Sequence, residues 1–182
     1  MAISSRLKAF LQAQHVKYTT QSHPTVYTAQ EIAAAQHVPG RQLAKCVLVK
    51  TDKGVALAVL PAMYRVDLKK LKTALRAKKL SLASEGDIKG AFPDVEVGAM
   101  SPFGHLYNVP TIVDKSLATA GEIVCNAGSH TETLKLSYRD FERFAKPSAG
   151  SFVEGAPKKS RKPARKNTTA RRSKKPLKRR RR

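Results

Sequence analysis

The sequence predicts a mixed α/β fold, a β-sheet flanked by helices, on three observations. Arg41 to Lys50 and Val55 to Leu60 are strand-like runs, nearly continuous in apolar residues, joined by the turn signal Thr51-Asp-Lys-Gly54. They read as a hairpin whose strands are covered on both faces. Helix starts are marked by a Ser or Thr with an acid three positions on, at Thr28 with Glu31 and at Ser137 with Asp140. Helical and strand-like stretches alternate irregularly around the hairpin, which argues against a strict βαβ repeat. A chain of 182 residues is long enough for one ordinary domain with a real core plus an appendage.

Taken in order, Ser4 or Ser5 caps a first helix in which Leu7, Phe10 and Leu11 recur at helical spacing, running to about Gln14. An extended piece follows near Val16 to Thr20. Thr28 and Glu31 open a helix through Ile32-Ala-Ala-Ala35, which Val38-Pro39-Gly40 ends. After the hairpin, which closes at Pro61, Asp67 to about Lys79 reads as a helix with Leu68, Leu71 and Leu75 in its buried stripe. Ser84 to Lys89 forms a short capped helix, broken by Phe92-Pro93. Val95-Glu-Val97 enters the glycine-rich turn Gly98-Ala-Met-Ser-Pro-Phe-Gly104. Apolar runs at Leu106 to Val113, Glu122 to Cys125 and Thr133 to Leu136 are strand candidates. The intervening Asn126-Ala-Gly-Ser-His130 reads as loop. A last helix holds Phe141 and Phe144, and Pro147 stops it.

From about Ser148 onward the composition turns to Gly, Ser, Pro, Lys and Arg. Residues 1–147 are therefore expected as the folded domain and 148–182 as a disordered basic tail. Of 35 Lys and Arg, 15 lie from Lys158 to Arg182, leaving 20 against 13 acids in the body. A formal charge of +22 points to a polyanion, either nucleic acid or an anionic membrane surface. The tail, with Arg171, Arg172, Lys174 and Lys175 among its candidate phosphate contacts, has no aromatic residue to stack on bases. It would add salt-sensitive affinity without sequence choice. No stretch reaches the roughly 20 apolar residues of a bilayer span, and no signal-peptide core is present, so a soluble cytoplasmic protein with no membrane partner is expected. Cys46 and Cys125 lie in apolar runs as buried small hydrophobes. The histidines lack metal-ligand spacing, so no metal and no cofactor are expected.

Lys45 is the anomaly. It stands where a covered strand should be apolar, so its ammonium either snorkels to water from a strand end or meets a ligand. Gly98 and Gly104 let the backbone approach a ligand or take positive φ, and Pro102 stiffens the loop between them. That combination serves either an ordinary tight turn or backbone N–H groups presented to an oxyanion. His130 is a polar contact or proton shuttle, or simply a surface histidine. Lys69, Lys72, Arg76 and Lys79 follow steps of three, four and three along the expected helix, a track for phosphates or a solvated basic face. Neither a P-loop, a Rossmann fingerprint nor a Gly-x-Ser-x-Gly elbow is present.

Thr28-Ala-Gln-Glu-Ile-Ala33, Leu43-Ala-Lys45, Val97-Gly98-Ala-Met-Ser-Pro102-Phe-Gly104 and Asn126-Ala-Gly-Ser-His130 together give the chain, from Ser4 to Lys146, a pattern that resembles the YbaK/prolyl-tRNA synthetase-associated domain family. The resemblance implies a compact mixed sheet or barrel surrounded by helices, and hydrolysis of the ester in misacylated tRNA, typically tRNA(Pro). It implies that Lys45 holds the acceptor end of the substrate and that backbone N–H groups at Gly98 to Ser101 orient the scissile carbonyl, with His130 in the same catalytic set. Thr28, Cys46, Ala99, Met100, Pro102, Phe103 and Gly128 would line the aminoacyl pocket. Cys46 departs from a position that is often threonine or another polar residue in the family, although adjacent strand residues face opposite ways. The implied partners are tRNA and prolyl-tRNA synthetase, with the protein a monomer or homodimer.

A second sieve has a physical rationale, because one methylene is worth only about 1–3 kcal/mol in a synthetic site. The expected function is thus trans-editing of tRNA carrying a small wrong amino acid such as Ala, Cys, Ser or Thr. Two alternatives stand beside it. One is a non-catalytic RNA- or ribosome-binding protein that works through its tail; the other is an esterase for a different small acyl group.

Overall fold

The computed structural model describes residues 3–155. Its centre is the strand that contains Lys45, β2 (Leu43–Thr51), numbered after β1 (Tyr18–Ser22). β2 runs antiparallel to β3 (Gly54–Pro61) from Ala44↔Pro61 to Thr51↔Gly54, so the predicted hairpin forms in full. The far end of β2 also pairs with the short strand β4 (Leu80–Leu82). Near its start it pairs in parallel with β6 (Glu122–Ser129) at two positions, Leu43↔Val124 and Ala44↔Cys125. With β5 (Thr111–Asp114), β7 (Glu132–Ser137) and β8 (Ser148–Gly150), the sheet has eight strands in the order β1-β7-β6-β2-β3-β5-β8, with β4 attached to β2. It is mixed as expected, and an open path rather than a closed barrel, with β1 and β8 at its ends.

Period-two alternation gives each face its own core. Ala44, Cys46 and Leu48 of β2 join Leu57 and Val59 of β3 in the largest cluster, packed with Leu7 and Leu11 of α1 (Ser5–Ala13), Phe103 and Phe141. The other face is covered in two separate patches. Leu43, Ala62 and Val124 pack with Ile32 of α2 (Ala29–Ala35), while Val49, Ala58 and Leu60 pack with Leu71 of α3 (Leu68–Ala74). Lys45 lies between the two patches. α4 (Glu85–Ala91) and α5 (Tyr138–Ala145) complete the helices; α2 and α4 begin with full capping boxes, and Ser137 caps α5 through the Asp140 N–H.

Five sequence expectations change, the first being the Leu106 to Val113 run, which opens in a 3-10 turn over Gly104–Tyr107 and is strand only from Thr111. Ser4 heads α1, yet its hydroxyl bonds Asp94 (3.0 Å) and Tyr107 (3.2 Å) rather than the helix. α3 stops at Ala74 instead of continuing to Lys79. Arg76 takes φ 50°, and Asp52 of the hairpin tip accepts the N–H groups of Lys78 (2.7 Å) and Lys79 (3.2 Å), which draws the chain into β4. Asn126 to Ser129, expected as loop, continue β6 through an irregular register; Gly128 suits glycine twice over, with φ 112° and a position where a Cβ would sit 2.9 Å from that of Ser4. Finally, the folded body does not end at Pro147. β8 pairs with β5, Phe152 is fully buried, and the Phe152 N–H donates to buried Asp114 at 2.6 Å. Residues 156–182, including Arg171, Arg172, Lys174 and Lys175, lie outside the described residues.

The body boundary is testable. A chain ending after Gly155 is expected to keep the native urea midpoint, whereas one ending after Pro147 loses β8 and is expected to unfold or shift the midpoint far down. Phe152→Ala in the intact chain is expected to cost about 3–5 kcal/mol, read by circular dichroism during urea unfolding.

Candidate active site

The gap between the two outer-face patches forms a cleft of about 160 Å³. Tyr27, Ala29 and Ile32 wall it from the α2 side, Lys45 and its strand neighbours from β2, and Gly98 and Asn126 from the opposite side. The α2 wall is held by its cap. Thr28 Oγ1 accepts the Glu31 N–H at 3.2 Å and Glu31 Oε2 accepts the Thr28 N–H at 2.9 Å, so Thr28 fixes the helix start while its neighbours Tyr27 and Ala29 reach the cleft.

Lys45 is half-buried. Its Nζ has one long contact, donated to Ala62 O at 3.4 Å, and no carboxylate pairs with it among the described residues. Burial and the nearby Arg65 guanidinium both disfavour the ammonium and lower its pKa from the usual lysine value. Cys46, one residue on, borders the cleft as expected, while its side chain packs against the opposite-face core, where burial pushes its pKa well up; it is a packing group and not a thiolate.

Of the glycine-rich turn, only Gly98 lines the cleft. It adopts φ 91°, a conformation that favours glycine, and a Cβ there would meet His130 Cε1 at 3.5 Å. Ala99, Met100, Ser101, Pro102 and Phe103 are buried instead; Met100 and Phe103 belong to the main core. The expectation that this whole run lines a pocket is corrected, because its apolar side chains close the core beneath α1 and α5. The Ala99 N–H, one of the expected oxyanion donors, is already bonded to Glu96 O at 2.9 Å. Gly128 packs on Ser4 and is likewise away from the cleft.

His130 sits behind the cleft wall. Its backbone N–H donates to Glu96 Oε2 at 2.7 Å, and its Nε2 lies 2.9 Å from Val97 O, which as a carbonyl can only accept, so Nε2 carries the proton. Its ring packs 4.9 Å from that of Tyr27. The histidine thus steadies two cleft residues, Tyr27 and Gly98. Asn126, which opens the Asn126–His130 motif but carries no expected role there, lines the cleft and donates Nδ2–H to Gly98 O at 3.4 Å. Alternation from Val124 was the signal for it, hidden because the segment reads as loop. No three His, Cys, Asp or Glu side chains among the described residues come together to hold a metal ion.

The basic residues stand elsewhere. Lys69 and Lys72 are exposed on α3, while Arg76 and Lys79 fall in the turn beyond it, so the four do not share one helical face. Arg76 and Lys79 lie at the hairpin tip, where Lys53 Nζ donates to Arg76 O at 3.0 Å and Asp52 accepts the Lys79 N–H, at the end of the hairpin remote from Lys45. Six residue steps along β2 separate Lys45 from Thr51, about 20 Å.

A family model of the aminoacyl-tRNA editing domain matches residues 23–144. The chain is 29% identical over 150 residues to the prolyl-tRNA editing protein ProX of Acetoanaerobium sticklandii, covering 79% of this chain and 91% of that protein. It is 33% identical over 81 residues to the proline–tRNA ligase of Fervidobacterium nodosum, which is 44% of this chain and 14% of the ligase. Among solved structures, a candidate trans-editing enzyme for prolyl tRNA synthetase superimposes with a TM-score of 0.73 at 20% identity, over 84% of this chain and 97% of that one.

The electrostatics of Lys45 give a prediction that does not require the substrate. Its folded-state pKa is lowered, so the charged form is penalised by folding. That penalty is fully present below the folded pKa and is relieved as pH rises through it toward the unfolded value of 10.5. Lys45→Met is therefore expected to raise the urea midpoint at pH 7, with the native chain closing the gap as pH increases through the alkaline range. The match over residues 23–144 and the architecture agree: the chain belongs to the aminoacyl-tRNA editing domain family and is an aminoacyl-tRNA deacylase, a hydrolase of the ester that joins an amino acid to its tRNA.

Proposed function

We propose that this chain acts in trans on tRNA(Pro) charged with a small wrong amino acid, Ala, Cys, Ser or Thr, in the cytoplasm where tRNA is charged. The observation that carries the reading is Lys45, an ammonium held half-buried in a cleft without a counter-ion among the described residues. An arrangement that costs stability within a covered strand suits a group kept for an anionic ligand, and a lysine is a good point charge for a phosphate. The name of the A. sticklandii relative, aligned over 91% of its length, supports tRNA(Pro) as the substrate carrier.

Lys45 holds the terminal phosphate, and the aminoacyl group enters between the α2 wall and Gly98. Water attacks the acyl carbon, the bond from that carbon to the ribose oxygen breaks, and the ribose oxygen leaves with a proton. The products are the free amino acid and uncharged tRNA. Catalysis rests on positioning, since the cleft has neither a thiolate nor a nucleophilic serine. Its volume of about 160 Å³ leaves room for a small aminoacyl group. Excess positive charge on α3 and in the tail draws the tRNA in.

The test is hydrolysis of tRNA(Pro) charged separately with Ala, Cys, Ser, Thr or Pro. At least one misacylated species is expected to be cleaved while Pro-tRNA(Pro) survives. Lys45→Ala is expected to slow the reaction by about 100-fold or more. A chain ending after Gly155 is expected to keep kcat, to raise KM and to lose part of the salt dependence of KM. Cleavage that is indifferent to Lys45→Ala would sink the assignment.

A further inference from the structure

Resting on the deacylase reading, one cleft residue takes a role that the phosphate anchor cannot. β2 and β6 pair in parallel at Leu43↔Val124 and Ala44↔Cys125, so the next positions on the same face are Lys45 and Asn126. Strand spacing sets them about 5 Å or more apart. The carbonyl of Gly98 can only accept, so the Asn126 amide nitrogen is the atom that faces it, at 3.4 Å. That contact fixes the other end of the amide. Asn126 Oδ1 is buried and meets no donor among the described residues. Three further buried side-chain atoms share that condition, on His23, His130 and Glu132, but only Asn126 belongs to a residue that lines the cleft.

A buried acceptor without a partner is costly, and in a ligand site it marks where a donor of the ligand belongs. An aminoacyl ester carries one N–H donor common to every candidate substrate, the α-amino group, one carbon away from the scissile carbonyl. We propose that Asn126 Oδ1 accepts a hydrogen bond from the substrate α-amino group, making the free amine a requirement and restricting the cleft to unblocked aminoacyl esters. Lys45 and Asn126 then divide the substrate between adjacent strands, a donor for the phosphate and an acceptor for the amine. The tie to Gly98 O couples the amine to the loop residue that borders the acyl group.

The probes are two stable amides, 3′-deoxy-3′-(L-alanylamino)adenosine and its propionylamino counterpart, which lacks only the amine. Binding to the full chain is read by calorimetry, with urea midpoints recorded for each variant. The native chain is expected to prefer the alanyl probe by about 10- to 100-fold. Asn126→Ala is expected to erase the preference. Asn126→Asp, which keeps the acceptor but loses the bond to Gly98, is expected to retain it. Equal binding of the two probes by the native chain, no measurable binding of either, a preference surviving in Asn126→Ala, or its loss in both variants would each overturn the proposal. Hydrolysis of Ala-tRNA(Pro) is scored separately: absent turnover with an intact probe preference removes the deacylase substrate and leaves the amine subsite standing.

Discussion

Two register positions make a single sheet out of two groups of strands. β1, β7 and β6 form one antiparallel group; β2, β3 and β4, continued by parallel β5 and β8, form the other. The groups join through Leu43↔Val124 and Ala44↔Cys125, reinforced by the Val124 N–H on Gln42 O at 2.9 Å. Beyond that point the two strands no longer pair, and the residues that follow, Lys45 and Asn126, face a cleft instead of a helix. The seam creates the site.

The local grammar of the chain was plainly legible. The hairpin from its turn, α2 and α5 from their caps, and the two-faced burial of β2 from its continuous apolar run all reflect interactions within a few residues of sequence. What escaped was decided at long range. Nothing in Ala74-Leu75-Arg76-Ala77 breaks a helix, yet Asp52, more than twenty residues earlier, captures the next turn and overrides propensity. Asn126 to Ser129 look like loop because Asn, Gly and Ser favour turns, but their pairing with β7 keeps them in the sheet. Ser148 to Gly150 is too polar to announce a strand, and it is one because Phe152 and Asp114 pin it from either side.

The site was half legible for a related reason. An ammonium in an apolar strand is visible in any sequence, and so is a glycine ahead of a stiff turn. Which side chains of that turn face the ligand is a matter of packing, and the apolar ones went to the core. His130, likewise, reads as a chemical group and serves as a brace, with its proton committed to a backbone carbonyl. Cys46 shows the same logic through strand alternation: one position from Lys45, it belongs to the other face.

The point where the described body ends also has a bearing on the site. Val153 bridges Val66, the Glu154 N–H donates to Arg65 O at 2.9 Å, and Arg65 is close enough to depress the Lys45 pKa. The basic segment is therefore tethered at the cationic rim of the cleft rather than at a distant corner. Tethering turns a second binding event into an intramolecular one. A polyanion bound by the residues that follow Gly155 would thus be held by a chain whose anchor lies beside Arg65, on the Lys45 side of the sheet.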